Sequence, residues 1–92
     1  MADFAIIDNR AGHRFETQVD GVLCVLDYRR EGALLQLDHV GVPDAVGGRG
    51  IAAALTEAAM QTARREDLRI VPHCSYVAAW LRRHPAYADL VG

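Results

Sequence analysis

The first half of the chain alternates short apolar runs with turn residues, which is the pattern of consecutive β-strands. Phe15 and Thr17 alternate with charged or polar neighbours, as in a strand that is buried on one face. Asp20-Gly21 is a strong signal for a tight hairpin turn, and residues 29–32 are interpreted as the next turn. The pattern predicts four strands in an antiparallel meander, at residues 4–8, 13–17, 22–28 and 33–42.

After a glycine-rich segment, hydrophobic residues recur at helical spacing. This spacing predicts a helix that begins near Gly50 and ends near Glu66-Asp67. Its predicted inward face comprises Ile51, Leu55, Ala58, Ala59 and Thr62. Its predicted outward face comprises Thr56, Glu57, Gln61, Arg64 and Arg65.

Residues 68–71 are too few for a helix and predict a fifth strand, which Pro72 ends because proline has no N–H. We expect this strand to lie parallel to the fourth strand, since a helix connects the two. Ser75 is the predicted N-cap of a second helix over residues 76–83, which Pro85 terminates. Residues 86–92 have room for one further turn.

The predicted order β-β-β-β-α-β-α makes one α+β domain over residues 1–92. Its sheet is mostly antiparallel, with one parallel pair at residues 33–42 and 68–71. Ligands of such sheets bind beside the carboxyl ends of parallel strands, where helix N-termini also point. The glycine-rich segment lies at that end of the sheet.

Composition narrows the classes of protein to consider. Hydrophobic residues make up 51% of the chain, which suits a globular domain. The net charge of -2 argues against broad binding to nucleic acid or acidic membranes, and no apolar run approaches the roughly 20 residues that span a bilayer. Two cysteines are too few for a disulfide framework and the N-terminus lacks a secretory layout, so we expect a cytoplasmic setting. The edge strand of so short a sheet allows a monomer or a weak homodimer.

Gly47-Gly48-Arg49-Gly50 connects the fourth strand to the helix. Such a loop directs unpaired N–H groups and the positive end of the helix dipole to one point, which favours binding of phosphate or another anion. A flexible connection without a ligand is the alternative interpretation. The segment is not a Walker loop, since no Gly-Lys-Ser/Thr follows, and its glycines are not spaced as in the dinucleotide fingerprint.

Residues 47–52, followed by Leu55, are similar to the acetyl-CoA loop of the GNAT N-acetyltransferase superfamily, usually written Gln/Arg-x-x-Gly-x-Gly/Ala. Val42-Pro43 and the segments 71–77 and 83–87 resemble the very small single-domain branch of that superfamily. The resemblance covers residues 13–91. It implies a GNAT-like fold and an acetyl-CoA-dependent N-acetyltransferase that acts on a small amine or an exposed protein amine. An acyl-CoA-binding module with little or no turnover is the alternative function.

The resemblance also implies where CoA binds. Backbone N–H groups between Val46 and Ile51 would hold the diphosphate, and the pantetheine arm would bond to the backbone from His39 to Val42 like an extra strand. The thioester would then lie beside Cys74. The residues expected to contact the cofactor are His39, Val40, Val42, Val46, Gly47, Gly48, Arg49, Gly50, Ile51, Cys74 and Tyr76.

Two positions depart from the family pattern. Gly47 stands where Gln or Arg is usual, so one side chain near the diphosphate is missing. The tyrosine that serves larger members as general acid falls near Arg82, so that role is not carried over to this chain.

Cys74 and His39 are the candidate catalytic residues. Cys74 precedes a helix whose dipole favours a thiolate, which would attack the acetyl thioester; an inert thiol that lines the pocket is the alternative. His39 would be the general base for the incoming amine. Its alternative is a core histidine that shares a strand face with Leu35 and Leu37, if no bulge intervenes.

The remaining candidates are interpreted mainly as structural. Cys24 lies inside an apolar strand and is predicted to be core, and His84 is predicted to serve the end of a helix. His73 neighbours Cys74, which alone does not indicate chemistry. Arg49 would pair with a CoA phosphate or lie on the surface. The histidines and cysteines do not have the spacing of a zinc site, so no metal is expected.

Overall fold

The computed structural model describes residues 4–92, which form a five-stranded sheet with helices. The elements are β1 (Ile7–Asn9), β2 (Arg14–Val19), β3 (Val22–Glu31), β4 (Leu34–Gly41), α1 (Ile51–Arg65), β5 (Arg69–Pro72) and α2 (Ser75–Arg83). Short 3-10 segments occupy Asp44–Val46 before α1 and Pro85–Leu90 after α2. The strands lie in the order β1-β2-β3-β4-β5, so the predicted α+β order is confirmed.

The hairpin between β2 and β3 turns at Asp20-Gly21, as predicted. Both residues have positive φ, 53° and 76°, which a two-residue type I′ turn requires. The predicted turn at residues 29–32 is wrong in its first part, because β3 continues through Glu31 and pairs with β4 there. Arg29 favours the longer strand, since its guanidinium holds Asp38 on β4 with bonds of 2.7 and 3.1 Å.

The parallel pair of strands is confirmed, but it is short. β4 and β5 pair only from Leu34↔Arg69 to Leu37↔Pro72, with α1 as the crossover. Pro72, which was predicted to end the strand, is its last residue. Beyond this point β4 runs on to Gly41, while the chain after β5 turns into α2. Past Leu37, β4 therefore keeps a neighbouring strand only on its β3 side.

One face of the sheet packs against the helices and forms the core. Its fully buried side chains include Leu26, Leu37, Ile51, Leu55, Ile70 and Val77. Cys24 is also fully buried, which confirms its predicted core position. Thr56 was predicted to face outward and is instead fully buried. Its hydroxyl donates to the carbonyl of Ala52 at 2.8 Å, and this bond satisfies a polar group that burial would otherwise penalise.

The start of α2 also differs from the prediction. The N-cap is Cys74 rather than Ser75, and the cap residue's side chain makes no hydrogen bond. Ser75 is the first residue of the helix and is exposed. The backbone of Cys74 is held elsewhere, because its N–H donates to the carbonyl of Leu37 at 3.0 Å.

Charged side chains join the first strands to the end of α1. Arg10 and Arg30 both contact Glu66, at 2.6 and 2.8 Å, and the bond from Arg30 contributes most to holding the pKa of the Glu66 carboxyl below its usual value. The hydroxyl of Tyr28 donates to Asp8 at 2.6 Å. Burial, followed by this bond, raises the pKa of Tyr28 to about 12. No helix within residues 4–92 is long and apolar enough to cross a membrane.

Candidate active site

The glycine loop, residues 47–50, places backbone donors at the N-terminus of α1. Gly48 and Gly50 have φ of 76° and 82°, the left-handed region that glycine enters without a Cβ penalty. Gly50 is the N-cap, and its carbonyl accepts the first helical bond from the Ala54 N–H at 3.1 Å. The loop thus turns directly into the helix with no side chain in the way.

Not every amide of the predicted phosphate site is available. The N–H groups of Val46 and Gly47 already donate, to the carbonyls of Pro43 and Asp44, at 3.0 and 3.1 Å. The Val46 side chain is buried in the core. Within residues 4–92, the amides of residues 48–53 donate to no backbone carbonyl. These amides point where the positive end of the helix dipole adds to their field.

Arg49 lies beside these amides but is already paired. Its guanidinium contacts Asp20 of the β2–β3 turn at 2.7 Å, and both side chains are largely exposed. An exposed ion pair of this kind contributes little to stability. The contact leaves Arg49 able to exchange its partner for an anion at the loop.

Next to the loop, β4 has an open segment, residues 38–41, which has no partner on the β5 side. His39, Val40 and Gly41 pair with β3. The last contact between the two parallel strands is the bond from the Cys74 N–H to the Leu37 carbonyl. Pro72, the last residue of β5, has no N–H to donate to β4. The strand edge there is available to an extended ligand, in the manner of an added strand.

A β-bulge decides where His39 lies. Tyr28 pairs with Leu37 and Asp27 pairs with His39, so Asp38 is an extra residue on β4. The interpretation of His39 as a core histidine beside Leu37 is therefore wrong. The bulge moves its side chain to the polar face of the sheet, where 67% of it is exposed. Nδ1 of His39 lies 3.5 Å from Oδ2 of Asp27.

Cys74 lies where β5 ends and α2 begins, and its side chain is half-buried against the core. It is a free thiol. Because the carboxyl ends of β4 and β5 lie at the same end of the sheet, Cys74, the open segment and the glycine loop share that end. Val40 and Val42 are half-buried and line the approach from β4.

His73 belongs to a network on the polar face. Its Nε2 lies 2.8 Å from Oε1 of Gln36, an oxygen that also accepts from Arg29 at 3.2 Å. The amide nitrogen of Gln36 donates to Glu31. The Arg29 hydrogen bond holds the pKa of Asp38 below its usual value, so this carboxylate stays charged. The sequence offered no signal for this network, because its members come from three separate segments.

The aromatic residues of α2 differ in burial. Trp80 is buried, and the ring of His84 stacks on it with centroids 3.8 Å apart. Nδ1 of His84 bonds to the Trp80 carbonyl at 2.7 Å, which confirms its structural role at the helix end. Tyr76 is half-buried, and burial raises the pKa of its phenol, so the hydroxyl remains a proton donor.

A surface depression of about 750 Å³ lies along α1 rather than at Cys74. Arg49 and Gly50 line one part of it, and Phe4, Ile6 and Trp80 line others. Neither β4 nor Cys74 contributes to it, so it meets the shared end of the strands only at the glycine loop. Among the described residues, no cluster of three or more His, Cys, Asp or Glu has the arrangement of a metal site.

Several known proteins are similar to this chain in sequence, and a solved structure is similar to it in fold. The sequence model of the GCN5-related N-acetyl-transferase family matches residues 14–90. Protein NATD1 of Bos taurus is 35% identical over 80 residues, which cover 84% of this chain and 71% of that protein. Protein NATD1 of Homo sapiens is 34% identical over the same shares. A GCN5-like protein of Staphylococcus aureus, solved in solution by NMR, superposes with a TM-score of 0.76 at 27% identity, covering 100% of this chain and 91% of that one. The chain therefore belongs to the GCN5-related N-acetyltransferase family and is an enzyme of the acetyltransferase class.

Proposed function

We propose that the protein transfers the acetyl group of acetyl-CoA to the nitrogen of an amine, either a small amine or an exposed amine of a protein. One observation carries this proposal. Free amides at the N-terminus of α1, an open strand edge and a free thiol all lie at the same end of one parallel strand pair. The amides would hold the diphosphate and the strand edge would hold the extended arm of CoA. The thiol would lie beside the reacting carbon.

The diphosphate would bind the amides of residues 48–51, since those of Val46 and Gly47 are engaged within the loop. The positive dipole end of α1, a helix of 15 residues, adds to this attraction. Arg49 would leave Asp20 to contact a phosphate. The cofactor contacts predicted at Gly47 and Val46 are then contacts of carbonyl, Cα or side-chain atoms.

The pantetheine arm would lie along residues 38–41, where β4 lacks a neighbour on the β5 side. His39, Val40 and Val42 would contact it through their backbone groups. The arm would then direct the thioester towards Cys74 and Tyr76. The protonated hydroxyl of Tyr76 is suited to donate to the departing CoA sulfur.

Two routes lead to the product, and both balance. In direct transfer, the amine nitrogen attacks the thioester carbonyl, His39 takes a proton from that nitrogen, and CoA leaves as the thiol after gaining a proton. In the relay, the Cys74 thiolate first forms an acetyl-cysteine and releases CoA. The amine then attacks this second thioester and regenerates the thiolate.

The test combines binding, mass and turnover. The protein is incubated with acetyl-CoA, and intact mass is measured for the addition of one acetyl group. Acetylation confined to Cys74, which disappears on addition of an amine, supports the relay. Release of CoA thiol in the presence of amines, retained in Cys74→Ala, supports direct transfer. Binding of CoA without release of thiol with any amine would contradict the proposed function and favour a module that only binds acyl-CoA.

A further inference from the structure

On the polar face of the sheet, the side chain of Asp27 faces one histidine, His39. The two residues face each other across β3 and β4 as Cα partners, with Nδ1 and Oδ2 3.5 Å apart. Arg14 faces Asp27 from the other side, on β2, but its Nε donates to Glu16 at 2.7 Å. Within residues 4–92, Asp27 makes no ion pair other than that with His39.

The bulge at Asp38 creates this pairing. Without the extra residue, the side chain of His39 would join Leu35 and Leu37 in the core, and Asp27 would have no histidine opposite it. A bulge commonly redirects one side chain beside an active site. Here it does so in the segment where β4 has lost β5 as its partner.

In two other histidines, the hydrogen-bond partner shows which ring nitrogen carries a proton. The Trp80 carbonyl only accepts, so His84 carries its proton on Nδ1. Gln36 directs its amide nitrogen to the Glu31 carboxylate and its oxygen to Arg29, so His73 carries its proton on Nε2. The molecule therefore contains one histidine that donates through Nδ1 and one that donates through Nε2.

We propose that Asp27 is a positioning residue for acetyl transfer, and this rests on the proposed role of His39 as the base. The Asp27 carboxylate accepts the Nδ1–H of His39, which leaves the lone pair on Nε2 to take the proton from the attacking amine. The distance of 3.5 Å is longer than a full hydrogen bond, and such contacts shorten when the substrate complex forms. A carboxylate that orients a histidine in this way appears in catalytic triads on unrelated folds.

The first experiment reads the tautomer without any need for activity. Nitrogen NMR of the imidazoles, recorded with and without CoA, distinguishes ring nitrogens with and without a proton. His84 and His73 serve as internal standards for the two forms. We expect His39 to match His84 in the CoA complex, and to shift towards the His73 pattern in Asp27→Ala. A His39 signal of the His73 type in the wild-type complex, or one unaffected by Asp27→Ala, overturns the proposal.

The second experiment measures turnover with saturating CoA and a reactive amine. Asp27→Ala should lower kcat roughly 10- to 100-fold with little change in KM for acetyl-CoA, the range typical of removing the carboxylate that orients a metal-binding histidine. Asp27→Glu should restore most of the rate, because it retains the carboxylate. Asp67→Asn, which removes one exposed charge at the far end of α1, is the matched control and should leave kcat unchanged.

A failure of the proposed acetyl transfer and a failure of the proposed role of Asp27 give different results. If the wild-type protein releases no CoA thiol, the proposed function fails, while the NMR spectra still report on the contact between Asp27 and His39. If the wild type turns over and Asp27→Ala matches Asp67→Asn in kcat, the positioning role is wrong although the transferase activity stands.

Discussion

The two halves of β4, which a bulge at Asp38 separates, have opposite tasks. Residues 34–37 have a strand on each side and place Leu35 and Leu37 in the core, 1% and 0% exposed. Residues 38–41 keep only β3 as a partner and place His39 in solvent. The difference teaches that the loss of one neighbour, together with one extra residue, is enough to convert a core strand into an open edge.

If that division is correct, mutations in the first half should affect folding and mutations in the second half should affect chemistry. Leu37→Ala removes a fully buried side chain at the last paired position and should cost about 2–5 kcal/mol of unfolding free energy. Urea unfolding followed by circular dichroism measures this loss. A loss of unfolding free energy below about 1 kcal/mol would mean that the paired half of β4 contributes little to the stability of the core.

His39→Ala, two residues further along, should change the unfolding free energy by less than about 0.5 kcal/mol, because its side chain is mostly exposed. Loss of a general base should instead lower kcat by about 100-fold or more. The same urea titration and a CoA-thiol release assay check both values. A variant that unfolds easily but turns over normally would reverse the comparison between the halves.

Gly50→Ala tests the loop that follows the open half. A non-glycine residue at φ 82° costs about 1–2 kcal/mol, although the added Cβ would meet no atom within 4 Å. We expect both lower stability and weaker binding of CoA, measured by calorimetry. Gly32→Ala is the control, since it imposes similar strain at φ 58° in the β3–β4 turn, also in open space. Equal CoA affinities in the two variants would show that the glycine loop does not bind CoA.

The smallest effect is expected far from β4, where Glu66 joins α1 to Arg10 and Arg30. The folded-state pKa of Glu66 is lowered from 4.5, so its stabilising effect is present above that pH and is lost as pH falls through the lowered value. Glu66→Gln should therefore be slightly less stable than the wild type at pH 7, and the gap should close in acid. Urea midpoints at both pH values measure it, and a gap that persists in acid would contradict the linkage.

Local signals in the sequence predicted the elements well where neighbours along the chain decide the structure. Asp20-Gly21 predicts its turn because the two residues alone favour the required φ values. The predicted start and end of α1 agree with the structure to within a residue or two. Arg29 and Thr56 were placed wrongly, because a cross-strand carboxylate and a burying neighbour lie outside any local window.

In the candidate site, too, local sequence signals did not predict the contacts between distant segments. Cys74 and the glycine loop could be found from residue types and order, and the family resemblance added the ligand. The contact between Asp27 and His39 could not, since it depends on a register shift of one residue between two strands. Nor could the engaged amides of Val46 and Gly47, which a 3-10 turn removes from the predicted phosphate site.

The sequence by itself determined the order of strands and helices, the glycine loop and the presence of a thiol before the last helix, because periodicity and backbone preferences act over a few neighbouring residues. Only the tertiary structure decided which side of the sheet His39 occupies, which amides remain free and where β4 loses its partner. These outcomes depend on how distant segments align, and hydrogen-bond register between strands is a property of the pair rather than of either sequence.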